Sequence, residues 1–307
     1  MKKNIKPNLN IIIPVFNTGI FLNRCIASIV EQNFKNTIFR VIIVDDGSTD
    51  NSYDIMKSIK NKYHSYDITI HKTLHKGLGH ARNFGIRRAN GDYLFFVDSD
   101  DTLTENSLET INENIMAHNV DILKFQANTI TIDLDVNKTL FNSGRIEKCI
   151  GIKAFDILLS RNSPKKGIFG PVWLYIYRKN YLTENNLFFH DFRLQEDFLF
   201  TPQAIFKANS FISIDKYIYN YIQRQGSIMQ NKDFFQRRAT DMLHHYDYLS
   251  YFFAKNCQDN SLLSKINIFL EQAIVARVKK LNGDFKKDFL SELNKRDINY
   301  DNAYKLV

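Results

Sequence analysis

The sequence predicts an α/β fold, a mostly parallel sheet covered on both faces by helices, followed by a helical C-terminal region. Three observations carry this. Strand-sized apolar runs alternate with helix-period stripes over residues 1–127. The acidic and turn-forming residues of that half gather directly after the strand candidates, where open parallel sheets collect ligands. From about Asp233 only the 3.6-residue period survives.

The elements follow in order. Asn8–Phe16 reads as a buried strand through Leu9, Ile11, Ile12, Ile13 and Val15, closed by Pro14 and Asn17. Over 20–33, Phe21, Leu22, Cys25, Ile26, Ile29 and Val30 form one helical stripe. Ile38–Val44 is a second strand, and Ser48 or Thr49 is placed to cap a helix carrying Tyr53, Ile55, Met56 and Ile59. Asp67–His71 is a short strand, Gly79–Ala89 a helix, Asp92–Val97 a strand, Glu105–His118 a helix and Asp121–Ala127 a strand. Periodicity is lost over 128–146, and 151–222 mixes short elements rich in aromatics. Within 261–282, Leu262, Ile266, Phe269, Leu270, Ala273, Ile274 and Leu281 form an amphipathic stripe.

Composition narrows the function. With 307 residues, 44% hydrophobic and 24% charged, the chain is globular rather than disordered. No apolar run approaches the ~18 residues of a membrane span, and the N-terminus lacks the apolar core of a secretion signal. Three scattered cysteines, Cys25, Cys149 and Cys257, argue against a disulfide framework and for a reducing, cytoplasmic setting. The net charge of +8 implies an affinity for anions. Its late pairs, Arg237-Arg238, Lys279-Lys280, Lys286-Lys287 and Lys295-Arg296, are spread as on solvated helix faces.

Four segments carry chemistry. Asp98-Ser99-Asp100-Asp101 follows a strand and offers two hard carboxylates to one divalent cation, or else caps the next helix. Val44-Asp45-Asp46-Gly47-Ser48-Thr49-Asp50 fits a plain Asx turn, or an acceptor for the imide N–H of a base. His75-Lys76-Gly77-Leu78-Gly79-His80-Ala81-Arg82-Asn83 opens a helix and permits close backbone approach by an anion, yet matches neither a dinucleotide fingerprint nor a P-loop. Glu196-Asp197 supplies paired acids that suit a general base or an ordinary helix start. His71, His75 and His80 have the spacing of a zinc motif but not its helical setting, so they read as structural or solvated.

In this order and spacing the chain resembles the inverting glycosyltransferases of family 2. Ile13-Pro14-Val15-Phe16-Asn17, Val44–Asp50, Gly79-His80-Ala81-Arg82-Asn83, Gly91–Asp101 and Glu196-Asp197 carry the resemblance. It implies a GT-A fold, a Rossmann-like nucleotide-binding mixed sheet flanked by helices. Residues 1–230 would form the catalytic domain, divided into a UDP-sugar half (1–127) and an acceptor half (128–230), with 231–307 as a helical extension.

The resemblance also assigns roles. Pro14, Phe16, Asn17 and Ser99 would line the nucleotide pocket, and Asp46 would hold uracil. Lys76 and Arg82 would lie near the base or diphosphate. Asp98 and Asp100 would be the acids for Mn2+ or Mg2+, Asp100 as the direct ligand and Asp98 facing ribose or the metal. Asp197 would be the catalytic base, and Glu196 would orient it or bind acceptor. Trp173 would stack on an acceptor sugar, or else sit in the core. Arg224 and Ser227 would belong to a late basic loop over the diphosphate. Phe16 stands where the family often has tyrosine, and Pro171–Tyr175 follows its pattern only loosely.

The implied reaction moves a hexose or N-acetylhexosamine from a UDP-sugar to a hydroxyl of an oligosaccharide acceptor, lipid-linked in the family's bacterial surface-glycan pathways, and forms a β-glycoside. Peripheral contact with the anionic inner face of the cell membrane would use the basic tail. Nucleotidyl transfer to sugar phosphates would need a glycine-rich phosphate loop after the first strand, where Pro14-Val-Phe-Asn-Thr18 stands. A nucleic-acid partner is not expected, because carboxylates at three strand ends repel phosphate. A pseudoenzyme fits worst, since every expected acid is present.

Overall fold

The computed structural model describes residues 8–33, 37–131, 136–138, 144–161, 169–191, 194–223, 232–278 and 281–298. β1 (Asn8–Val15), β2 (Ile38–Asp45), β3 (Ile68–Lys72) and β4 (Tyr93–Phe96) alternate with α1 (Gly19–Val30), α2 (Ser52–Lys62) and α3 (Leu78–Arg88). The four strands are parallel, with Val15 opposite Asp45 and Ile12 opposite Phe96. Ile11, Ile12, Ile13, Val41, Ile42, Ile43 and Phe95 are wholly buried, because helices cover both faces of the sheet. Parallel strands bring the loops after β1, β2 and β4 to one edge.

Beyond β4 the sheet is mixed, which corrects the mostly parallel expectation drawn from periodicity. β5 (Thr102–Leu103), α4 (Ser107–His118), β6 (Ile122–Thr131), β7 (Val136–Lys138), β8 (Ile146–Cys149) and α5 (Gly151–Arg161) are followed by a 3₁₀ turn over Val172–Leu174 and β9 (Tyr175–Arg178). Next come α6 (Lys179–Glu184), α7 (Glu196–Lys207) and β10 (Phe211–Gln223). Among the described residues the order is β3-β2-β1-β4-β9-β6-β10-β5, with β7 on β6 and β8 on β10. β9 runs antiparallel to both neighbours, β4 and β6, and so inserts one reversed strand between two parallel sets.

Two local expectations change. Ser48 and Thr49 do not cap α2; they hold Asn17, whose N–H donates to Ser48 Oγ (3.1 Å) and whose Oδ1 accepts the Thr49 N–H (2.9 Å). The Asp50 carboxylate instead accepts the Ser52 N–H at 3.0 Å. The turn 98–101 does not cap a helix either, since β5 intervenes before α4.

α8 (Lys232–Asn256), α9 (Asn260–Val278) and α10 (Gly283–Asn294) complete the chain. Ile266, Phe269, Leu270 and Ile274 of α9 are buried, as the stripe requires. Phe253 lies 5.2 Å from both Phe155 and Phe206, and Phe269 lies 5.8 Å from Phe169 between ring centroids, so these helices share the core of α5 and α7. No described helix is long and apolar enough to cross a membrane.

Candidate active site

The loop after β2 is organised by Asp46. Its side chain is buried and its carboxylate accepts the backbone N–H groups of Lys76 (3.0 Å) and Gly77 (2.8 Å). The His75 ring lies 2.9 Å away through Nδ1 and stacks on Phe16 at 4.1 Å. Pro14 is buried in β1, whereas Phe16, Asn17 and Lys76 are exposed. Asp46 thus folds the 73–77 segment over the strand ends, beside a half-open aromatic face.

The motif at the start of α3 has a structural reading for each residue. A Cβ on Gly79 would stand 2.7 Å from the His190 carbonyl oxygen, so a glycine is needed for the backbones to approach. Asn83 grips that same segment: its Nδ2 donates to Phe189 O (2.7 Å) and its Oδ1 accepts the Phe189 N–H (2.9 Å). The glycine serves protein packing here, not the anion approach expected from sequence.

Arg82 lies between, and it is 1% exposed. Nη1 donates to Glu196 Oε1 and, at 2.9 Å, to Asp197 Oδ1; Nη2 donates to Asp98 Oδ1 at 2.9 Å. One planar guanidinium therefore joins the end of β4 to the start of α7, a fork that lysine cannot reproduce. The second oxygen of Asp197 accepts the Val172 N–H at 3.1 Å. Glu196 is buried, while the Asp197 side chain keeps 22% of its surface exposed. The resemblance places Arg82 near the base or diphosphate; in the structure it links the acids.

Acids outnumber cations here. Burial first, then Asp197, push the Glu196 carboxyl up to about 8, and burial pushes Asp98 up to about 6 against the pull of Arg82. Burial likewise raises Asp101, which is 1% exposed. Carboxylates concentrated in this way are costly unless a cation offsets them. Asp98 and Asp100 supply hard oxygen donors suited to Mg2+ or Mn2+ rather than zinc. Among the described residues no group of three or more His, Cys, Asp or Glu is arranged to hold a metal ion by itself, so a cation at Asp98 and Asp100 would need further ligands from a bound molecule or water.

The other expected residues fall as follows. Ser99 is buried, its hydroxyl 2.7 Å from that of Thr18. Trp173 is 3% exposed and stacks on Tyr219 at 4.2 Å with a 7° interplanar angle, the core alternative read from sequence. Arg224 and Ser227 lie outside the described residues. Asp101 and Tyr219 escaped the sequence reading. Asp101 was visible only as the last acid of a quartet, and nothing marks Tyr219 among its neighbouring tyrosines.

A family model, Glycosyl transferase family 2, matches residues 10–188, which include Asp46, Arg82, Asp98 and Asp100 and end before Glu196 and Asp197. The chain belongs to glycosyl transferase family 2. The glycosyltransferase is 27% identical over 230 residues to glycosyltransferase GlyG of Streptococcus pneumoniae, covering 73% of each chain. It is 29% identical over 225 residues to the poly(ribitol-phosphate) beta-N-acetylglucosaminyltransferase TarS of Staphylococcus aureus, covering 72% of this chain but 37% of TarS. A crystal structure of TarS with UDP-GlcNAc superposes with a TM-score of 0.63 at 22% identity, over 96% of this chain and 89% of that one. The mannosyltransferase PcManGT of Pyrobaculum calidifontis, solved with GDP-Man and Mn2+, gives 0.53 at 14% identity, over 98% and 84%. These superpositions place the mixed sheet and its flanking helices in the GT-A fold.

Proposed function

We propose that this glycosyltransferase moves a hexose or N-acetylhexosamine from a UDP-sugar to a hydroxyl of a glycan acceptor, with inversion, forming a β-glycoside from an α-linked donor. The observation that supports this reading best is the Arg82 fork. It holds a donor-side acid, Asp98, and a candidate base, Asp197, within the span of one guanidinium. In-line displacement has the nucleotide leaving on one face of the anomeric carbon and the hydroxyl arriving on the other, and the two arms of the fork offer an acid for each side.

Each residue then has a task. Asp197, oriented by Arg82 and the Val172 N–H, accepts the proton of the acceptor hydroxyl as the new bond forms. Glu196 shares Arg82 and fixes the start of α7. Phe16 and the Asp46-centred loop receive the base. A divalent cation held by Asp98 and Asp100 would supply charge neutralisation at the leaving diphosphate. UDP-GlcNAc in TarS favours a UDP donor, and Mn2+ in PcManGT favours a metal; GDP-Man in PcManGT makes the base itself a point to test.

The experiment is a donor screen: each UDP-hexose and GDP-mannose with Mn2+, with release of the nucleoside diphosphate as readout. One UDP-sugar should be slowly hydrolysed, the signal should vanish with EDTA, and Asp197→Asn should lower transfer by about 10²–10⁴-fold with UDP affinity retained. Full turnover after chelation, or equal loss of UDP binding in Asp197→Asn, contradicts the assignment.

The acceptor is proposed to be lipid-linked, with the enzyme acting on the cytoplasmic face of the membrane. Lys287, Lys295 and Arg296 already have acidic partners in Asp284, Glu292 and Asp247. These three cations of the late basic pairs are matched locally, and any attraction of the tail to anionic lipid is screened by salt. Equal sedimentation with neutral and anionic vesicles at low salt would remove it.

A further inference from the structure

The turn 98–101 is held from below by a tyrosine. The Asp98 N–H donates to Tyr219 Oη (3.0 Å), and Tyr219 Oη donates to Asp101 Oδ2 (2.7 Å). Asp101 Oδ1 accepts the Ile222 N–H (2.7 Å), while the Asp101 N–H donates to Asp98 O (3.1 Å). Both oxygens of Asp101 are thus engaged in a buried setting, which makes it a poor metal ligand and a good brace. The Tyr219 ring is wholly buried and lies flat against Trp173. Trp173 directly follows Val172, whose N–H donates to Asp197 Oδ2.

These contacts form a continuous path from the proposed base to the proposed metal turn: Asp197, Val172-Trp173, Tyr219, then the Asp98 backbone and Asp101. We propose that Trp173, Tyr219 and Asp101 are positioning residues that fix the separation between the Asp98–Asp100 turn and Asp197. This rests on the glycosyl-transfer reading above. It replaces the sugar-stacking role for Trp173, because the indole face is occupied by Tyr219 in a site that is 3% exposed. Arg82 ties the two acids directly, side chain to side chain; the aromatic path ties the Asp98 backbone N–H, through Tyr219 and Trp173, to the Val172 N–H that holds the second oxygen of Asp197. A turn held at two points cannot swing when the charge on its carboxylates changes, and displacements near 1 Å are enough to slow in-line transfer strongly.

The test compares Tyr219→Phe, Asp101→Asn and Trp173→Leu with Trp173→Phe as the conservative rescue. Tyr181→Phe serves as the control, since it removes another buried hydroxyl that donates to a backbone carbonyl, that of Ala204, away from the site. Two readouts are used: acceptor-independent hydrolysis of the donor, and Mn2+ titration of the protein alone followed by the fluorescence of its single tryptophan or, for the Trp173 variants, by calorimetry. Tyr219→Phe and Asp101→Asn should lower kcat about tenfold or more, weaken the Mn2+ response and leave the donor KM within about twofold. Trp173→Phe should recover most of the kcat lost in Trp173→Leu, with the acceptor KM unchanged in both. A raised acceptor KM with normal donor hydrolysis in the Trp173 variants would restore the sugar-stacking role and overturn the proposal. So would wild-type Mn2+ titration in Tyr219→Phe, or equal loss of kcat in Tyr181→Phe. If the wild type hydrolyses no donor, the glycosyl-transfer reading fails by itself, and the Mn2+ titrations still decide the brace.

Discussion

Arg82 and Lys124 are both buried cations, and their surroundings drive them in opposite directions. Burial alone would lower Arg82, but Asp197, Asp98 and Glu196 hold it above its ordinary pKa, so it is a permanent charge. Among the described residues no acid pairs with Lys124 on β6; its Nζ donates to the Phe125 carbonyl at 3.3 Å and lies 5.7 Å from the Tyr175 ring centre, and burial lowers it to about 7. In the unfolded chain a lysine keeps its proton to about 10.4. Between about pH 7 and 10.5 the unfolded state therefore binds more protons than the folded state, and stability rises with pH across that window. Below pH 7 both states are protonated and the cost of the buried charge is fully felt. Lys124→Met should stabilise the protein at pH 6 by about 2–4 kcal/mol, with the gain shrinking towards zero near pH 10.5. Urea midpoints at the two pH values measure this, and a pH-independent difference would refute it. At this scale, acids at strand ends were legible in the sequence because carboxylates there need a reason. The partners of Arg82 were not, since Glu196 and Asp197 lie more than a hundred positions away and only the fold joins them.

α3 shows what one helix contributes to the site. Its first turn must approach the 187–190 segment closely at Gly79, and Asn83 then bonds both the N–H and the carbonyl of Phe189. Phe189 stacks on Phe200 of α7 at 4.1 Å, so the clamp reaches the helix that carries Glu196 and Asp197. Asn83→Ala leaves two buried backbone groups without partners, at roughly 1–3 kcal/mol each. A loss of about 2–4 kcal/mol in chemical denaturation is expected, together with a lower kcat, because α7 loses its support. Unchanged stability would show that the segment rearranges freely. The helices of the first half could be read from their stripes, Leu22, Cys25, Ile26 and Ile29 in α1 for example, because local periodicity encodes them. β5 and β9 could not. They span two and four residues, too short for a period, and their places beside β10 and between β4 and β6 depend on contacts distant in sequence.

The molecule as a whole is joined by one apolar cluster that runs from the sheet into α8–α10. Phe269 of α9 packs against Phe169 at 5.8 Å and Phe198 at 6.0 Å, and Phe198 directly follows Asp197. Phe253 of α8 meets Phe155 and Phe206. Each such ring contributes about 1.5–3 kcal/mol when fully buried, so detaching 231–307 from 1–230 would strip several rings from α5 and α7 together. We therefore propose that the division expected at 230 marks a change in the type of structure and not a unit of stability. A single cooperative transition is expected on heating, and two signals report on its two ends. Trp173, the only tryptophan, follows the site, whereas far-UV ellipticity at 222 nm sums all the helices, with α8–α10 supplying a large share of it. The two melting curves should coincide, and a chain ending before Lys232 should be insoluble or lack the native tryptophan signal. If far-UV ellipticity falls first while Trp173 keeps its buried emission, the C-terminal helices are a separate unit and α7 is held by the catalytic domain alone.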